Sequence, residues 1–210
     1  MHRLDKKENE AEENKRILSE WNKRQIRNTY KFTSKIVDNE KFLYFAYGSN
    51  MLVEKLKSRC DSGKKITPSE NSQHMIREHV FGFYKKSKDG SGKGDIKKTG
   101  KFDDKVYGVL FSIDKNQKIR LDQAEGLGYG YEEKSIVVID EKTGEEKDAK
   151  TYFAQNHYSG LTPYDWYKRQ TVQGAKDNDL PEKYIEKIEA VPSKSDDDDE
   201  RRRREERYFK

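Results

Sequence analysis

Short runs of aromatic and β-branched residues, each bounded by turn residues, recur through the middle of this chain. Such runs are typical of strands, because these side chains pack well on a half-buried pleated surface. Charged residues make up 40% of the 210 residues and hydrophobic residues only 31%, so the runs hold much of the material for a core. Five strands are predicted, from KFLYFAY, HVFGFYKK, KVYGVLFSI, KSIVVID and AKTYFAQ.

Helical patterns fall between some of these strands. Residues 52–60 and 163–173 have helical patterns, and Asp114 is placed to N-cap a helix over residues 115–125 that Gly126 ends. Residues 141–146, EKTGEE, are predicted as a hairpin loop. The order predicts a mixed α+β fold whose largely antiparallel sheet closes into a small barrel with flanking helices.

The apolar residues are concentrated between positions 42 and 191. A single core commonly spans about 100–200 residues. We therefore expect one domain over residues 42–192, a charged N-terminal extension over residues 1–41 and a charged C-terminal tail over residues 193–210. A helical pattern over residues 10–27 carries a narrow apolar stripe, which either packs on the domain or is a candidate surface for a homodimer or protein partner.

The C-terminal tail, SDDDDERRRREERYFK, has acidic residues four positions before arginines. Such pairs support a solvent-exposed helix by about 0.2–0.5 kcal/mol each. The net charge of +5 arises from 44 basic and 39 acidic residues, so nucleic-acid binding is not indicated. The four pairs are Asp197 with Arg201, Asp198 with Arg202, Asp199 with Arg203, and Glu200 with Arg204.

Cys60 is the only cysteine, which suits a reducing compartment and, with four scattered histidines, offers no zinc spacing. No signal-peptide segment is visible at the N-terminus, and no stretch approaches the roughly 20 apolar residues of a membrane span. We expect a cytoplasmic protein with no membrane partner. Residues 85–101, KKSKDGSGKGDIKKTGK, do not match the spacing of a phosphate-binding loop and are predicted as a flexible, basic hairpin loop.

Two stretches are candidates for chemistry. The hydrophobic run FLYFAY stops at Gly48, and the helical pattern that follows would present N–H groups suited to an anion, with Ser49 or Asn50 as the cap. In LDQAEGLGYGYEE, Glu125 falls in the last turn of a helix, where the helix dipole disfavours a carboxylate. From the residues alone, Glu125 is either an exposed helix-end acid or a general base, and Gly48 and its neighbours either bind an anion or merely cap the helix.

The order of FLYFAYGSNM, VYGVLFSI, LDQAEG and YKRQTVQGAKDNDLPEKYIEKI resembles the γ-glutamylcyclotransferase family over about 150 residues, from about 42 to 192. YGSN combined with a downstream D-x-x-EG is the specific part of this match. The resemblance implies a mixed fold around a small barrel and an enzyme that converts γ-glutamyl amino acids to 5-oxoproline and a free amino acid. It implies no cofactor and no metal.

The resemblance also implies roles for individual residues. Glu125 matches the general acid and base, and the main-chain N–H groups of the YGSN loop would hold the glutamyl α-carboxylate. Where the family has a strand of small residues, this chain has GDIKKTGKF, so the resemblance does not determine the pocket wall or the substrate side chain that it accepts. The candidate substrate-binding residues are Tyr47, Gly48, Ser49, Asn50, Tyr131 and Tyr167.

Two alternatives remain from the sequence. The first is cyclisation of γ-glutamyl amines, for which the acidic residues Glu132 and Glu133 would favour a cationic leaving group. The second is a non-catalytic binding or regulatory module that acts through its charged helical extensions. An acid at Glu125 argues against the second alternative, because a site that only binds carboxylates has no need of one.

Overall fold

The structure is a computed structural model that describes residues 40–60, 66–68, 73–128 and 130–209. The helix predicted over residues 10–27 lies outside these ranges. Within the described residues, no helix is both long and apolar enough to cross a membrane. The described residues form the strands β1 Lys41–Ala46, β2 His74–Arg77, β3 His79–Lys86, β4 Gly92–Lys98, β5 Lys105–Asp114, β6 Tyr131–Asp140 and β7 Glu146–Ala154.

Five of the strands form a closed barrel in the order β1, β5, β2, β6, β7. Neighbours are antiparallel except where β1 and β7 close the barrel as a parallel pair, with Tyr44 opposite Lys150. β3 and β4 form a separate antiparallel sheet of two strands. The predicted α+β fold with a largely antiparallel barrel is therefore confirmed, and the predicted loop between β6 and β7 is present.

The prediction of a flexible loop over residues 85–101 is wrong for most of this stretch, because β3 extends to Lys86 and β4 covers Gly92–Lys98, so only the turn that joins these two antiparallel strands is a hairpin loop. Its glycines allow the strand to lie directly against aromatic side chains. A Cβ on Gly94 would lie 3.0 Å from the Phe81 ring, and one on Gly92 would lie 3.0 Å from Phe83. Ile96 is fully buried, so the strand contributes to the core despite its lysines.

The helices pack around this framework. Gly126 ends α2 in the left-handed conformation, as predicted, with φ 66° and ψ 43°. Asp114 does not cap this helix, because residues 115–117 form a 3₁₀ turn and the Asp114 side chain makes no capping hydrogen bond. The helices are α1 Val53–Cys60, α2 Lys118–Glu125, α3 Asp165–Asp177, α4 Glu182–Glu189 and α5 Asp199–Glu206.

Helix α3 holds the loop that follows β1. A Cβ on Gly174 would lie 2.4 Å from the backbone nitrogen of Leu52, so the two backbones are in direct contact. Asn178 Nδ2 donates to the Met51 carbonyl over 3.1 Å. Met51 itself is fully buried. The loop after β1 is therefore held in place both by the barrel strand that precedes it and by its contacts with α3.

The C-terminal segment returns to α1 and α3. Asp196 is 1% exposed and accepts hydrogen bonds from Trp166 Nε1 at 2.8 Å and from Arg201 Nε at 2.7 Å. Tyr208 donates to Ser58 Oγ on α1 over 2.9 Å. The predicted helix is present as α5. The domain boundary at residue 192 stays a prediction.

The ion pairs of α5 differ from the predicted set. Asp199 and Arg203 form a predicted pair, with 3.9 Å between their charged atoms. Arg201 instead pairs with Asp196, and Arg202 pairs with Asp199 at 2.6 Å. The difference arises because the helix begins only at residue 199 and the buried Asp196 before it takes the guanidinium of Arg201.

Candidate active site

A cavity of about 280 Å³ lies at the end of β1, between the barrel, the β3–β4 sheet and helices α1, α2 and α3. Its wall contains every residue that the sequence predicted as catalytic or substrate-binding. Their roles stay predictions, but the structure brings all of them together. These residues are Tyr47, Gly48, Ser49, Asn50, Glu125, Tyr131 and Tyr167.

The loop after β1 turns sharply at the cavity. Residues Ser49–Met51 form one 3₁₀ turn, in which the Met51 N–H donates to the Gly48 carbonyl over 2.9 Å. The expectation that Ser49 or Asn50 caps an α-helix here is wrong. Gly48 holds the cap position without any side-chain cap, and α1 begins only at Val53. The Asn50 side chain is engaged elsewhere in the site.

Glu125 is a largely buried acid rather than an exposed one, since its side chain is 10% exposed. Asn50 Nδ2 donates to Glu125 Oε1 over 2.6 Å, and Arg59 Nη1 donates to the same oxygen. Both donors stabilise the negative charge of the carboxylate. Burial lowers the pKa of Arg59, but the carboxylate of Glu125 and the phenols of Tyr167, Tyr44 and Tyr131 together outweigh burial, so the pKa lies above its ordinary value.

Two tyrosines clamp the backbone of Gly94 on β4. Tyr131 donates to the Gly94 carbonyl over 2.8 Å, and the Gly94 N–H donates to Tyr167 Oη over 3.0 Å. Burial raises the pKa of both phenols, so each stays neutral at physiological pH. The two tyrosines therefore fix β4 as one wall of the cavity.

Sequence reasoning missed most of the charged groups in the wall. Arg59 lies among other charges on α1, where no local pattern marks it as a partner of Glu125. Lys93 lies in the stretch predicted as a loop, and Arg201 and Glu205 lie in the segment predicted as a tail. In all, five basic and three acidic side chains line the cavity: Lys55, Arg59, Lys85, Lys93 and Arg201 against Asp89, Glu125 and Glu205.

Comparison with known proteins identifies the family. A sequence model described as the AIG2-like family matches residues 105–188. The gamma-glutamylcyclotransferase of Mus musculus is 30% identical over 155 residues, which cover 73% of this chain and 80% of that protein. The chain belongs to the γ-glutamylcyclotransferase family. The corresponding protein of Homo sapiens is 31% identical over the same coverage.

A solved structure of gamma-glutamyl cyclotransferase matches this family member with a TM-score of 0.69 at 27% identity, covering 80% of this chain and 99% of that one. The resemblance drawn from the sequence is therefore confirmed, as is the prediction of an enzyme of the γ-glutamylcyclotransferase type.

The acids suggested for a cationic leaving group lie elsewhere. In the described part of this family member, Glu132 is exposed, Glu133 pairs with Lys118 and Lys150, and neither lines the cavity.

Proposed function

We propose that this protein converts γ-glutamyl amino acids to 5-oxoproline and a free amino acid, with Glu125 as general base and then general acid. The observation that carries the proposal is the position of the Glu125 carboxylate. It is nearly buried in the cavity wall, it is oriented by Asn50 and Arg59, and it faces the same cavity as the loop of Gly48 and Ser49.

The reaction is an internal aminolysis. The α-amine nitrogen of the substrate attacks its own γ-carbonyl carbon, and Glu125 accepts the proton that the amine loses. The tetrahedral intermediate then collapses, the bond from the γ-carbon to the leaving nitrogen breaks, and Glu125 returns the proton to that nitrogen. Both reacting groups belong to one molecule, so the protein contributes chiefly by folding the glutamyl chain and moving one proton.

The glutamyl end of the substrate needs a fixed anion site. We assign this role to the main-chain N–H groups of the loop at Tyr47, Gly48, Ser49 and Asn50. The contacts of Gly174 and Asn178 with this loop support the assignment, because they hold its backbone against α3. Tyr131 and Tyr167 would complete the wall around the folded glutamyl chain.

The test is release of 5-oxoproline from a panel of γ-glutamyl dipeptides and γ-glutamyl-ε-lysine. Wild type is expected to release 5-oxoproline from the dipeptides, and Glu125→Gln to lose about 10²–10⁴-fold in kcat, the usual contribution of general acid–base catalysis. Glu132→Gln, which changes an exposed acid, is the matched control and should retain activity.

Binding separates catalysis from mere recognition. Glu125→Gln is expected to bind γ-glutamyl-alanine in a calorimeter with an affinity close to that of wild type, because Gln keeps the shape of the side chain. A folded wild type that is inert on the whole panel would overturn the enzymatic proposal. If that protein still bound the dipeptides, it would favour the binding-module alternative instead.

A further inference from the structure

Two lysines lie directly opposite each other on the β3–β4 sheet. Lys85 and Lys93 are register partners in this antiparallel pair, and both line the cavity. Side chains in such positions have Cβ atoms about 4.5–5.5 Å apart, and like charges placed there destabilise a sheet. The arrangement therefore costs stability, and a negatively charged ligand between the two side chains would offset that cost.

The ammonium group of Lys93 is not satisfied within the described part of the chain. The side chain is 14% exposed, and its Nζ atom is buried without a hydrogen-bond partner there. The carboxylate of Asp89 forms an ion pair with it at 3.8 Å, which is beyond hydrogen-bond distance. The Nζ atom lies 4.3 Å from the ring centroid of Trp166 and 4.5 Å from that of Tyr167, so aromatic faces hold it but accept no hydrogen bond.

Three other basic side chains of the cavity, unlike Lys93, are hydrogen-bonded to acidic partners. Lys55 pairs with Glu205, Arg59 with Glu125, and Arg201 with Asp196. The ion pairs among the described residues do not include Lys85, whose Nζ lies 4.7 Å from the Tyr131 ring centroid. Lys85 and Lys93 are therefore the two cations in the wall that are placed to take a ligand carboxylate.

Electrostatics at the two lysines point the same way. Burial lowers the pKa of Lys93 to about 8, and Asp89 and Glu205 only partly oppose this effect. Burial also lowers the pKa of Lys85, against the opposing influence of Glu125 and Asp89. A buried ammonium that lacks full compensation binds a carboxylate strongly, because charge-assisted hydrogen bonds are stronger in a site removed from water.

We propose that Lys85 and Lys93 form a second carboxylate site, which holds the α-carboxylate of the leaving amino acid. The inference rests on the proposed function and names the substrate class for the same cavity. The loop of Gly48 and Ser49 would take the glutamyl end, and the two lysines would take the far end. Substrates whose leaving group is an α-amino acid with a free carboxylate are then preferred over γ-glutamyl amides and amines.

The experiment compares γ-glutamyl-alanine with γ-glutamyl-alaninamide, which differ only at the carboxylate in question. Lys93→Met is expected to lower kcat/KM for γ-glutamyl-alanine about 10- to 100-fold, the range for a hydrogen bond to a charged group. The same variant should change kcat/KM for the amide less than about 3-fold. Lys85→Met should also lower kcat/KM for γ-glutamyl-alanine more than for the amide. Lys86→Met, at the exposed neighbouring position, is the control.

Each outcome decides the matter. Equal losses on both substrates would show that Lys93 serves folding or positioning, and no loss on either would show that there is no carboxylate site. Lys93→Arg keeps the charge and should keep the preference, which guards against a mere loss of packing. Binding of both compounds is also measured to Glu125→Gln and to the double variant Glu125→Gln with Lys93→Met, so that the carboxylate site is tested without turnover. A failure of the carboxylate site can then be distinguished from a failure of the proposed enzymatic function.

Discussion

Asn50 Nδ2 and Glu125 Oε1 lie 2.6 Å apart, although 75 positions separate the two residues in the chain. The same amide nitrogen lies 2.8 Å from Tyr44 Oη. Arg59 also donates to Oε1 of Glu125. Because both donors use Oε1, the carboxylate is held by one oxygen, and its other oxygen, Oε2, is the atom that we assign to proton transfer with the substrate.

Asn50→Ala is expected to lower kcat about 10- to 100-fold with less than about a 3-fold change in KM, since misplacing a general base costs rate rather than ground-state affinity. Tyr44→Phe removes the other contact of the Asn50 amide but leaves the hydrogen bond to Glu125, so the decrease in kcat should be smaller. Steady-state kinetics on γ-glutamyl-alanine measures both. A rise in KM alone would instead assign Asn50 to substrate binding.

The tyrosine clamp on Gly94 predicts an asymmetry between two conservative variants. Tyr167→Phe leaves the buried N–H of Gly94 without its acceptor and should lower the free energy of unfolding by about 1–3 kcal/mol. Tyr131→Phe removes a donor from a carbonyl, which tolerates under-satisfaction better than an N–H group does, so it should cost less. Urea unfolding measures both, with the exposed Tyr158→Phe as control. Equal costs would contradict the argument.

Local patterns were sufficient for four of the five barrel strands and for the residues predicted to form the site, but the short strand β2 was missed. Alternating or continuous apolar runs marked β1, β5, β6 and β7, because burial on a sheet face leaves a direct trace in the sequence. Gly126 marked the end of α2 because a left-handed residue favours glycine. The motifs around Gly48 and Glu125 are far apart in the sequence, and the fold brings them into one cavity.

The remaining features depend on pairing that no local pattern records. β4 has lysines at the positions that face the cavity or solvent, so its strand character comes from packing of its glycines on Phe81 and Phe83. The pairing of Lys85 with Lys93 exists only through the register of that sheet. Arg59 and Glu125 are 66 positions apart in the sequence, and their contact depends on how α1 packs beside α2.

Gly174→Ala tests the contact between α3 and the loop after β1. In an isolated helix alanine would be more stable than glycine by about 1 kcal/mol. Here the added Cβ would lie 2.4 Å from Leu52 nitrogen and 2.6 Å from the Met51 carbonyl carbon. Because backbone atoms cannot rotate away, we expect the opposite sign, a loss of about 1–3 kcal/mol as for other overpacked sites.

Urea unfolding measures the Gly174→Ala change, with the exposed Lys176→Ala on the same helix as control. The variant should also raise KM for γ-glutamyl-alanine, because the loop that it displaces is the proposed glutamyl site. A stabilised protein would contradict the contact between α3 and this loop. A destabilised protein with unchanged KM would separate the loop from substrate binding.

The pKa of Lys93 predicts how substrate preference depends on pH. The ammonium, lowered to a pKa of about 8 by burial, is charged at pH 7 and loses its proton as the pH rises past that value. The ratio of kcat/KM for γ-glutamyl-alanine to that for γ-glutamyl-alaninamide should therefore fall between pH 7 and 9. Groups common to both reactions cancel in this ratio. In Lys93→Met the ratio should be lower at pH 7 and should fall less between pH 7 and 9, because only Lys85 then remains to hold the carboxylate.

Asp196 anchors the C-terminal segment, and its charge predicts a pH-dependent contribution to stability. Hydrogen bonds from Arg201, and then from Trp166, hold the pKa of this carboxyl well below its ordinary value despite burial. A lowered pKa in the folded state means that the stabilisation is complete above the unfolded pKa of about 4 and is lost as the pH falls towards the folded value. Asp196→Asn should therefore cost about 1.5–3 kcal/mol at pH 7, as expected for hydrogen bonds to a charged group.

Urea unfolding of wild type and Asp196→Asn at a series of pH values measures this contribution. The difference between the two proteins should be constant from pH 7 to about pH 5 and should shrink below about pH 4, as wild-type Asp196 takes up its proton. Asp197→Asn, at the exposed neighbouring position, should differ little from wild type at any pH. A difference that persisted unchanged to pH 2 would show that packing, and not the charge shared with Arg201, holds the segment in place.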